Sequence, residues 1–111
     1  MASPTFFIKQ NDTSPTLDIA LRDDRGRAVD ITGATVVFHM RNSLDDSTKV
    51  SSGSVTSLSD AQGEVRYAWA AIDTDTAGNF EAEFQVTFSG GTIETFPNDD
   101  YINVIILANV A

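Results

Sequence analysis

Phe80, Ala82, Phe84, Val86 and Phe88 recur at every second position, and Glu81, Glu83, Gln85 and Thr87 fill the gaps between them. Only an extended strand sends alternate side chains to opposite faces. The row therefore dictates a strand with one dry face and one wet face, and that strand needs a second apolar layer to cover it. A helix made of these residues would scatter aromatic rings and carboxylates around its whole circumference.

The same period recurs along the chain. Thr5–Gln10 reads as a short first strand, and Pro4 just before it suits a sheet edge. Leu17, Ile19 and Leu21 share one face. Asp23–Arg27 reads as a hairpin loop around Gly26, closed by the segment from Ala28. Val36, Phe38 and Met40 alternate with Val37, His39 and Arg41. After a polar stretch, Val65, Tyr67 and Trp69 point inward, the Ser89–Thr92 turn follows the aromatic row, and Tyr101–Val110 reads as the last strand. Turn signals at this spacing, with almost no helical period, predict an all-β fold. The expected architecture is an immunoglobulin-like antiparallel β-sandwich of about seven to eight strands.

The chain has 111 residues, enough for one domain spanning 1–111. It has no cysteine, so the core is held without disulfides or thiolate-bound zinc. Sixteen acidic against seven basic residues give a formal charge of −9, which opposes nucleic acid as a partner. No apolar run reaches the ~18–20 residues of a membrane helix. The start, MASPTFFIKQ, lacks a basic segment followed by an apolar one, so no secretory signal is expected.

Candidate chemistry resolves mostly into surface and turn. Glu81 and Glu83 lie about 7 Å apart on one strand face, and Glu94 sits on the returning strand; all read as an outer acidic row rather than a paired-carboxylate site. Asp73 and Asp75 in DTDTAG faintly resemble a calcium loop but lack its twelve-residue frame, so turn chemistry is the stronger reading. Asn98–Asp100 reads the same way. His39, the single histidine, falls on an outward face without a serine elbow or cysteine to activate. Neither glycine pair resembles a phosphate loop. No catalytic residue, cofactor or metal is expected.

Apolar excess is more informative. Ile102, Val104 and Ile106 fill one face of the last strand, yet Ile105 and Leu107 occupy the other. Phe6 and Phe7 are adjacent, so both cannot face one core. Such surplus marks either a covering loop or a docking face for another protein. Phe6, Phe7, Ile105, Leu107 and Val110 are the candidate contacts, with Leu44 and Lys49 in the long Asn42–Gly53 segment, which reads as a loop carrying a short edge strand at Lys49–Val50.

Several blocks in order carry a family resemblance: IKQNDTSP, DITGATVVFHMR, DTDTAG followed by EAEFQVTF, and TIETFPNDDYI. Over about Phe6–Ile106 the chain resembles the N-terminal domain of the phage baseplate upper protein family. The resemblance implies a non-enzymatic structural part of a tailed-phage virion, a baseplate or minor tail component assembled in the host cytoplasm. It would dock on other virion proteins, in multiple copies or as a homo-oligomer, without nucleic acid or membrane. Larger family members continue into segments leading to receptor-binding parts, and this chain ends with the domain. A capsid decoration protein and a carbohydrate-binding or host-adhesion module are the alternative readings.

Overall fold

The computed structural model describes residues 4–110. Nine strands follow in chain order: β1 Thr5–Lys9, β2 Leu17–Ala20, β3 Thr35–Asn42, β4 Thr48–Ser54, β5 Thr56–Ser59, β6 Glu64–Tyr67, β7 Gly78–Thr87, β8 Ile93–Phe96 and β9 Ile102–Leu107. A single 3-10 turn, Ala71–Thr74, precedes β7. The strands form two layers. The larger sheet runs β1-β9-β7-β3-β4 with β8 also on β7, and the smaller runs β2-β6-β5.

β7 organises the larger sheet. Of its ten residues, Phe80–Thr87 pair with β3 on one edge. The other edge is shared, with Gly78–Ala82 against β9 and Phe84–Thr87 against β8. The alternate residues Phe80, Ala82, Phe84 and Val86 are all buried, as the period demands. From the smaller sheet Leu17, Val65 and Tyr67 meet them, joined by Trp69 just beyond β6. Phe38 is the meeting point: its ring stacks on Tyr67 at 4.2 Å, tilts against Phe84 at 5.1 Å and meets Trp69 edge-on at 5.7 Å. Such ring pairs add about 0.5–1.5 kcal/mol each beyond the area they bury.

One cross-strand pair and one turn carry specific chemistry. Asp18 on β2 takes two 2.9 Å hydrogen bonds from Arg66 on β6. These bonds, with one from Thr16, bring its carboxyl down to about 2. Gly63 has φ +65°, and a Cβ there would stand 2.4 Å from the Val29 carbonyl oxygen, so the β5–β6 turn requires glycine.

Three expectations change. The strand count is nine, because the polar stretch after Asn42 is mostly strand: β4 is seven residues long, and the turn is confined to Ser43–Ser47. The expected edge strand at Lys49–Val50 lies within β4, but the full length of β4 escaped the pattern because it lies at a sheet edge, buries Val50 alone among its side chains, and pairs with β3 through register shifts. Ladder hydrogen bonds need no apolar side chains. Second, the sheets are not wholly antiparallel, since β1 runs parallel to β9. Third, the segment from Ala28 makes only an isolated bridge, Ala28 to Arg22, not a paired strand.

The two faces of β7 should respond oppositely to truncation. Phe84→Ala should cost about 3–5 kcal/mol in denaturant unfolding. Glu83→Ala should change stability by no more than about 0.5 kcal/mol.

Candidate functional site

The outer row of β7 is a network of surface contacts. Glu81 accepts a 3.0 Å hydrogen bond from Arg41 Nε across the strands. Arg41 also donates to the Tyr101 hydroxyl at 3.2 Å, lies 5.1 Å from that ring's centre, and approaches Asp46 at 3.6 Å. His39 Nδ1 accepts the Ser52 N–H at 3.1 Å, so the Nε2–H of that tautomer donates to Gln85 Oε1 at 3.3 Å. His39, Arg41, Asp46, Glu81 and Tyr101, together with Glu83, line a shallow groove of about 360 Å³. Glu81, Arg41, His39 and Gln85 are each spent on a neighbour, which stitches β3 to β7 and β4.

The DTDTAG segment is turn chemistry. Asp73 is buried and accepts the Tyr67 hydroxyl at 2.6 Å and the Ala70 N–H at 2.9 Å, closing the 3-10 turn back on β6. Burial first, then the bond to Asp73, pushes the Tyr67 phenol above its ordinary 10. Asp75 binds Lys49 and accepts from Thr76, contacts that hold its carboxyl below the usual range. Lys49 is thus committed within the chain. Among the described residues no cluster of three or more His, Cys, Asp or Glu could hold a metal ion.

The apolar candidates separate by face. β1 and β9 are in register with Phe7 beside Ile105 and Lys9 beside Leu107. Phe6 turns inward and stacks on Trp69 at 5.7 Å. Phe7 turns outward and is 60% exposed, Ile105 is half-buried beside it, and Leu107 is 41% exposed. Together they make a continuous apolar strip on the outer face of the sheet. The adjacent phenylalanines therefore serve different surfaces, as their parity requires.

Further exposed apolar residues gather where β1 and β9 run out. Leu44 stands 94% exposed in the β3–β4 turn. Ser43 of that turn donates N–H and hydroxyl to the Asn79 carbonyl, and Asn79 pairs with Ile105. Val110 is fully exposed beyond β9. Ile72 is exposed in the 3-10 turn, which is tied to the end of β1 by Asn11 N–H to Thr74 O at 2.9 Å and Gln10 Nε2 to Asp75 O at 2.8 Å. Sequence pattern misses Ile72, because this turn buries Asp73 and Thr74 and exposes the isoleucine beside them. An Asp three residues after the N-cap Ala70 is the available signal, since that spacing suits a cap.

A second groove, about 420 Å³, opens at the other end, with Leu21, Phe96 and Ile102 below and Asp23, Asp24 and Asp99 around it. Asp23 is occupied by the N–H groups of Arg25 and Arg27 and by the Arg27 side chain.

The family model described as the BppU N-terminal domain matches residues 3–96. No curated protein matches the chain.

Tyr67→Phe should cost about 1–2 kcal/mol by leaving Asp73 short of a buried donor. A raised phenol favours the folded state fully below about pH 10, and that contribution is lost as pH rises further. Alkaline denaturation should therefore be shallower in Tyr67→Phe than in the parent.

Proposed function

The chain belongs to the BppU (baseplate upper protein) N-terminal domain family, structural proteins of the phage baseplate and so of the virion, and from that premise we propose that it acts by docking. Its contact is the outer face of β1 and β9, where Phe7, Ile105 and Leu107 form an apolar strip beside the exposed end carrying Leu44, Ile72 and Val110. The single observation that carries this reading is Ile105 and Leu107 on the solvent side of a strand whose opposite side is already filled by Ile102, Val104 and Ile106. Burying two or three such side chains against a partner supplies about 1.5–3 kcal/mol each. Repeated copies on a symmetric particle make contacts of that strength sufficient.

Fold geometry supports a passive role. Glu81, Asp75 and Asp73 are tied to Arg41, Lys49, and the Tyr67 hydroxyl with the Ala70 N–H, respectively. A sugar-binding reading draws no support from Trp69 and Tyr67, because both rings are buried in the inter-sheet core. Lys49 contributes to the turn rather than to the contact strip, and Phe6 supports it from below through Trp69.

Replacing Ile105 and Leu107 together by Asp should leave the circular dichroism and unfolding cooperativity of the isolated chain intact while removing it from assembled particles. Normal incorporation of that double variant would rule out the β9 face as the contact.

A further inference from the structure

β1 has one paired edge and one open edge. The Pro4 carbonyl accepts the Asn103 N–H at 2.8 Å, and the Gln10 N–H donates to the Leu107 carbonyl at 2.7 Å. With the parallel register between them, Phe6 and Ile8 must spend their backbone groups on β9. Thr5, Phe7 and Lys9 therefore direct N–H and C=O away from the sheet. Among the described residues only the Lys9 carbonyl of these meets a backbone partner, the Asp12 N–H at 3.1 Å, where the edge closes.

The other edges are protected in ways that β1 is not. β4 is bulged, with Ser52 at φ +55° and register shifts against β3. β2, β5 and β8 are four residues each. β1 is regular and exposes an apolar ring at its centre, the pattern that natural edges avoid unless something pairs there.

We propose that β1 pairs antiparallel with β1 of a second copy of this chain, across a two-fold axis at Phe7. In that register Phe7 faces Phe7 of the second copy and the two exchange both backbone hydrogen bonds, while Thr5 faces Lys9. Charge points to this occupant at this place. Sixteen acidic residues make most of the surface repel another copy, but β1 and β9 contain none, and Lys9 is their sole charge. The register puts each Lys9 opposite a threonine, so no like charges meet. The pairing also joins two Phe7–Ile105 strips side by side on one continuous sheet, doubling the apolar face available for docking.

The test is sedimentation of the whole chain over a concentration series, with Phe7→Glu and Phe7→Lys prepared separately and folding checked by circular dichroism. The parent should rise from 12.0 kDa to twice that mass with concentration. Each charged variant alone should stay at one chain, because identical charges would meet on the axis. Mixing the two should restore the doubled mass, since Glu then faces Lys. A parent that remains a single chain throughout the high-micromolar range overturns the proposal, as does persistent dimerisation of both variants or failure of the mixture to associate. The outcome is separable from the docking reading: a single chain that still enters particles sinks the pairing alone, and a dimer that never enters them sinks the docking alone.

Discussion

The stack of Phe38 on Tyr67 is the contact through which the two sheets become one structure. Phe38 belongs to the larger sheet and is fully buried; Tyr67 belongs to the smaller one and brings Trp69 and Asp73 with it. The smaller sheet has only three short strands and would not stand alone. It is held by this aromatic cluster and by the Asp18–Arg66 clip across β2 and β6. The 3-10 turn hangs from the same cluster through Asp73, and the end of β1 is tied to that turn at Thr74. One inter-sheet contact thus reaches the outer end of the β1–β9 pair.

The parallel placement of β1 on β9 decides what that surface is. Without β1, β9 would be an apolar sheet edge with Ile105 and Leu107 uncovered. With it, the vulnerable edge moves outward by one strand and the apolar face widens to include Phe7. The outer row of β7 lies on the same side of the sheet, and there Glu81 binds Arg41 while Gln85 meets His39. The outer face is therefore divided: a polar half over β3, β4 and β7 stitches strands together, and an apolar half over β9 and β1 carries the exposed Phe7 and Leu107 with Ile105 between them.

Legibility followed how strongly each segment alternates. The β7 row, the inward Val65, Tyr67 and Trp69, and the double-sided apolar character of β9 were plain from spacing, because burial on one face selects residue types at period two. The turn role of Asp73 and Asp75 was also readable. β4 was readable only as the short edge strand at Lys49–Val50; its full length was not, since an edge strand buries so little that Ser, Thr and Gly serve as well as valine. Which of Phe6 and Phe7 faces out was equally hidden, because parity is defined only relative to the strand they pair with.

The sequence by itself determined that the chain is a two-layer β structure with an aromatic core, an acidic exterior and surplus apolar residues near both ends. Those properties are local: they depend on side-chain type and a two-residue period. Only the tertiary structure decided that β1 runs parallel to β9, that Ile72 and Leu44 join the same end of the sheet, and that Glu81 of the outer row meets Arg41. Pairing direction and cross-strand neighbours depend on contacts between residues far apart in the chain, and no local pattern encodes them.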